Sequence, residues 1–134
     1  MQTPLDTQRT LRTPLKRVRG LGAAHHGASA WWTMRMTSLA LVPLGIWFIA
    51  GVISLVGEPR EAVAAWLQNP VSAALMVLTL AVTFHHSASG VREILEDYVH
   101  IQGVKIAAIV FTYFACTVLA GISIFAVLRL AFGG

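Results

Sequence analysis

VSAALMVLTLAVTFHHSASGVREI, residues 71–94, decides the fold. From Val71 no Asp, Glu, Lys or Arg occurs until Arg92, and the run then gives way to charge. It reaches the roughly 20 residues a helix needs to cross hydrocarbon. Asn69-Pro70 opens it, with proline early in the helix, where its missing N–H costs little. Two other stretches have the same length and character, about 31–56 and 104–130. Pro43 and Gly45 interrupt the first, which membrane helices tolerate. GEPRE at 57–61 ends it, and Ala62 to Gln68 reads as a short interfacial helix carrying Trp66.

The composition agrees. Of 134 residues, 56% are hydrophobic and 12% charged, with a mean hydropathy of +0.68. A soluble domain carries about 25% charged residues. The expected class is therefore an all-α membrane protein with three transmembrane helices. The net charge of +4 does not indicate nucleic acid, because six of the basic residues (Arg9, Arg12, Lys16, Arg17, Arg19 and Arg35) lie at or before the start of span one. Under the positive-inside rule they put the N-terminus in the cytoplasm. The loop before span two carries only Arg60 beside two glutamates. Asp97-Tyr98 then lies at the cytoplasmic interface, and the C-terminus faces the periplasmic side. Residues 1–30 read as a mobile cytoplasmic extension, and 31–134 as the membrane region. The apolar run after the basic stretch is too long for a signal-peptide core. A single cysteine, Cys116, excludes an intrachain disulfide and an iron–sulfur cluster held by this chain alone.

Chemistry concentrates on span two. At about 100° per residue, Thr79, Gly90, Glu93 and Asp97 fall within about 40° of His86. Lipid rejects such a polar stripe, so it must face protein, cofactor or water. His86 is a candidate metal ligand; the blander reading is a hydrogen bond between helices. Gly90, one turn on, leaves room for a flat macrocycle, or else serves close helix packing. His85 lies about 100° away and reads as a packing residue. His25, His26 and His100 are expected to be exposed. Asp97 is about 16 Å along the axis from His86. A phenol can donate to a quinone carbonyl while a neighbouring carboxylate orients it and relays protons, so Tyr98 and Asp97 are candidate quinone residues. The alternatives are an aromatic-belt tyrosine and a solvated acid. Arg35 is expected at a depth similar to theirs, either snorkelling or facing a cofactor carboxylate or quinone headgroup.

Three spans, a basic N-terminus and His86-x3-Gly90-x6-Asp97-Tyr98 closely resemble the hydrophobic membrane anchor subunits of succinate dehydrogenase, respiratory complex II. Asp97-Tyr98-Val-His100, Gly103-x-Lys105 and the ending Leu130-Ala-Phe-Gly-Gly134 look like the alphaproteobacterial branch of that family. The resemblance covers about residues 30–134. It implies a helical bundle shared among subunits in the bacterial inner membrane. It implies His86 as one axial ligand of haem b, with the second ligand from the cytochrome b anchor subunit. It implies Tyr98 and Asp97 at the ubiquinone site, with Arg35 near that site or a haem propionate. The flavoprotein and iron–sulfur subunits would carry the remaining redox centres, and the complex would serve the tricarboxylic acid cycle and aerobic electron transport. This chain would be a non-catalytic anchor that contributes to the quinone site. Two alternatives stay open: the anchor of a fumarate reductase, and a cofactor-free membrane scaffold.

Overall fold

The computed structural model describes residues 24–133, excluding the side chains of residues 24–27 and 30. The expectations for the extension before residue 24, and for the side chains of His25 and His26, fall outside what is described. Four helices follow in order: α1 (Ala24–Ser54), α2 (Arg60–Gln68), α3 (Pro70–Tyr98) and α4 (Gln102–Ala131). No strand occurs among the described residues. Three of the helices, at Trp31–Ser54, Pro70–Tyr98 and Gln102–Ala131, are long and apolar enough to cross a membrane. A helix satisfies its own backbone polar groups, which is what a segment without water must do.

Contacts divide the chain into two units, Met1–Thr33 and Met34–Gly134. In the first, the Trp31 and Trp32 rings meet edge to face at 5.1 Å, and Thr33 donates to the Ser29 carbonyl.

In the second unit very little is buried. Leu44, Leu67 and Ala88 are the buried apolar residues, while Ile46, Phe111 and Phe125 are 67–70% exposed. A soluble domain of this length hides most of its large apolar side chains. This outward apolar surface suits lipid and neighbouring helices instead.

Local chemistry sets the helix ends. Gly57, with φ +83°, supplies the left-handed turn after α1, where side chains are disfavoured. Asn69 Oδ1 caps α3 by accepting from the backbone N–H of Val71 and Ser72, with Pro70 as the first helical residue. At the far end of α3, Lys105 Nζ donates to the Glu96 carbonyl at 3.3 Å, placing a cation on the helix C-terminus. Only residues 99–101 separate α3 from α4, so these helices run antiparallel and share the largest interface among α2, α3 and α4.

The short α2 docks through Trp66, which stacks on Trp47 of α1 with centroids 5.2 Å apart and planes at 19°. Leu67 beside it is 4% exposed. The expected interfacial helix therefore exists and begins earlier, at Arg60.

The first candidate span starts at Trp31 as expected and ends at Ser54, although α1 is already helical from Ala24. The other two helices run longer than expected. α3 runs on to Tyr98 rather than ending near Ile94, and the loop expected at 96–103 shrinks accordingly. The reason is local. Arg92 Nε bonds Glu96 Oε1 at 2.7 Å with the i,i+4 spacing that supports a helix, and Lys105 satisfies a terminal carbonyl. The 29 residues of α3 span about 44 Å against about 30 Å of hydrocarbon, so its charged last turns lie beyond the apolar layer.

Candidate functional site

The polar side chains of the spans sort into two kinds. Thr79, Thr112 and Thr117 each return their hydroxyl proton to a carbonyl four residues back in their own helix. That is the usual way a hydroxyl is satisfied inside an apolar helix, and these three donate within their own helices. Thr79 thus leaves the expected functional stripe; it is 8% exposed and occupied.

His86 differs. Its Nδ1 lies 3.0 Å from Thr37 Oγ1 on α1, and both residues are half-buried. The Thr37 hydroxyl also donates to the Met34 carbonyl at 3.0 Å. With that proton placed, the oxygen can accept from an Nδ1–H. Nε2, on the opposite edge of the ring, takes no hydrogen bond among the described residues. An imidazole held by one nitrogen, with the lone pair of the other free, is the usual form of a histidine metal ligand. The interhelical hydrogen bond expected as the bland alternative is therefore present, and it engages Nδ1 and not Nε2.

Gly90 lies one turn beyond His86. A Cβ built there would meet only the Met34 Sδ-methyl carbon, at 3.7 Å, which is ordinary contact. Close packing within this chain is thus not what the glycine serves.

Thr37 beside His86 and Met34 beside Gly90 fix the register of α1 on α3. Arg35, which is exposed, falls between these contacts, about level with residues 88–89. That is about 12 Å along the axis short of Asp97. The expectation that Arg35 shares the depth of Asp97-Tyr98 is corrected: α3 stays helical through its charged end and carries the pair further out. Asp97 and Tyr98 are both exposed, Tyr98 at 77%. The structure brings together His86, Gly90, Thr37 and Met34. It does not bring Asp97, Tyr98 or Glu93 against His86.

His85 faces the other way, as its helical angle requires. It lines a groove of about 200 Å³ between α3 and α4 with Phe84, Tyr113 and Cys116. A larger groove of about 690 Å³, near the start of α3 and the end of α4, is lined by Ala73, Val77, Leu128 and Phe132 and contains no ionisable side chain. His100 is exposed, as expected. No cluster of three or more His, Cys, Asp or Glu side chains could hold a metal among the described residues. Among the described residues His86 therefore stands without a second candidate ligand beside it.

Sequence reasoning missed Thr37 and Met34. A threonine on a membrane helix carries no signal of its own, and only the register between helices shows which residue it meets.

Residues 9–120 match the family model for the succinate dehydrogenase/fumarate reductase transmembrane subunit. The match starts upstream of residue 30, where the resemblance was expected to begin, and stops short of the C-terminal residues. The chain is 30% identical over 121 residues to the succinate dehydrogenase hydrophobic membrane anchor subunit of Paracoccus denitrificans, across 90% of this chain and 93% of that one. It is 20% identical over 108 residues to the subunit of the same name from Rickettsia conorii, across 80% and 86% of the two chains. A succinate dehydrogenase membrane anchor subunit of Reclinomonas americana is 23% identical over 86 residues, across 62% of this chain and 72% of that one. No solved structure matches the chain. With three apolar helices, an alphaproteobacterial relative matched over nearly its full length and a family model covering most of the sequence, the chain belongs to the succinate dehydrogenase hydrophobic membrane anchor subunits.

Proposed function

We propose that this chain anchors the flavoprotein and iron–sulfur subunits of a succinate:ubiquinone oxidoreductase to the bacterial inner membrane. In this reading it supplies one axial ligand of haem b and one wall of the quinone site. The observation that carries the reading is the state of His86: Nδ1 is bonded to Thr37, and Nε2 has no partner among the described residues.

The residues present fit a haem. The donor is an oriented imidazole, and the glycine one turn on has only the flexible Met34 side chain beside it. A partner subunit, read as the cytochrome b anchor, would supply the other ligand. When bound, the haem would supply a one-electron store within the membrane. His86 would hold it through Nε2, with Gly90 one turn away, and Arg35, level with this turn, would be placed for a haem carboxylate in preference to the quinone headgroup.

Tyr98 and Asp97 act at the end of α3. The Tyr98 hydroxyl donates to a ubiquinone carbonyl oxygen, and the Asp97 carboxylate beside it passes protons from the aqueous side. Their exposure suits a site completed by partner subunits. With the N-terminus read as cytoplasmic, the second crossing returns Asp97-Tyr98 to the cytoplasmic face and the third leaves the C-terminus in the periplasm. Electrons from succinate then reach the quinone through the iron–sulfur subunit docked on that face.

The family model spans fumarate reductases as well, so an anchor working in the reverse direction is the second reading. The anchor subunits matched in Paracoccus, Rickettsia and Reclinomonas, all of succinate dehydrogenases, favour the forward one. Purified complex assayed with succinate plus ubiquinone, and separately with fumarate plus a low-potential quinol, decides between them. Faster succinate oxidation supports the proposal; a faster reverse reaction overturns it.

A further inference from the structure

We propose that Thr37 is the positioning residue for His86, fixing its protonation pattern and ring orientation for iron. This rests on the reading of His86 as a haem ligand and extends it to a residue on a different helix.

A neutral imidazole carries a single N–H. Iron bound at Nε2 needs the lone pair there, so the proton must sit on Nδ1. In an apolar span that N–H needs an acceptor, because an unpaired buried donor is costly. The acceptor in reach is Thr37 Oγ1, at 3.0 Å. A hydroxyl can accept there only if its own proton has another destination, and the Met34 carbonyl, 3.0 Å away, provides one. That carbonyl also receives the Ser38 hydroxyl at 2.8 Å, so two side chains converge on it. The relay Nδ1–H to Oγ1, then O–H to the Met34 carbonyl, locks the ring between α1 and α3. The competing tautomer has its proton on Nε2, where no acceptor exists among the described residues.

The link has an electronic consequence. Donation from Nδ1–H makes the imidazole a stronger electron donor to iron and favours the oxidised haem. Removing the acceptor should raise the midpoint potential of haem b and loosen the haem.

The test uses the whole assembled complex. Thr37→Val keeps the shape and removes the hydroxyl; Thr37→Ala does the same with less bulk, should the valine hinder assembly. Thr37→Ser keeps the acceptor. Each is measured for haem b midpoint potential, for the low-spin electron paramagnetic resonance signal, and for haem retention in detergent. Loss of a partner behind a histidine ligand typically weakens metal binding about 10- to 100-fold. Val and Ala variants should show a raised potential, a shifted signal and retention weakened to that extent, while Ser stays at the wild-type values. Wild-type potential and retention in Val or Ala overturns the proposal, and so does a Ser variant shifted like Val. His86→Ala separates the two levels of inference. If it leaves the haem spectrum unchanged, the ligand assignment itself fails. If it removes the haem while Thr37→Val changes nothing, only the role of Thr37 fails.

Discussion

The Trp66 indole lies so close over Gly51 that a Cβ added to the glycine would sit 2.6 Å from Trp66 Cζ2. Trp47 backs the same indole from one turn away on α1. An aromatic stack seated on a bare stretch of backbone thus joins α2 to α1, while α2 also packs against α3 and α4. Gly51→Ala should weaken this docking by about 1–3 kcal/mol, the usual cost of overpacking. The check is thermal unfolding in detergent, with Trp66→Ala as the second arm. In the Trp66→Ala background the added methyl should cost nothing, since the clashing atoms are gone. An equal loss in both backgrounds would place the strain elsewhere.

Gly90 should behave in the opposite way. The chain itself has room for a methyl there, and alanine in a helix is favoured over glycine by roughly 0.5–1 kcal/mol. Gly90→Ala should leave the isolated chain as stable or slightly more so. Gly90→Leu should lower the haem content of the assembled complex if this face receives a macrocycle. Normal haem content in the leucine variant would assign the glycine to some other contact.

Tyr98 sits about three turns beyond His86 and is open to partners. Tyr98→Phe removes only a hydroxyl, and one hydrogen bond is worth about 0.5–1.5 kcal/mol. Ubiquinone reduction should slow roughly 2- to 10-fold, with electron transfer to a water-soluble dye nearly unchanged. Equal slowing in both assays would contradict a quinone role.

Arg92 and Glu96 form a short ion pair, yet both side chains are 45% exposed. Exposed i,i+4 pairs contribute about 0.3–0.5 kcal/mol. Glu96→Gln should therefore shift stability by no more than that, as read from unfolding midpoints at low and high salt. A larger loss would mean that the pair is covered in the complex.

The spans were legible because hydrophobic length needs no partner to be read. Their ends were less so. The last turns of α3 look like a loop from composition, and they stay helical through Arg92–Glu96 and through Lys105, which comes from the next helix. The candidate site was legible in one strand of its logic only. His86, Gly90 and Asp97 share a face by helical angle alone, whereas Thr37 enters through the register of α1 on α3. That register depends on how the turn at Gly57 and the seat of Trp66 on Gly51 return the chain. The same register moved Arg35 from the level of the quinone residues to that of the histidine.

The central claim is that His86 holds a haem shared with a partner subunit. Its most direct measurement is the reduced-minus-oxidised spectrum of the purified, assembled complex, wild type against His86→Ala. A haem held by His86 gives a b-type signal in the wild type that is lost or altered in the variant. An unchanged signal in a fully assembled His86→Ala complex would contradict it.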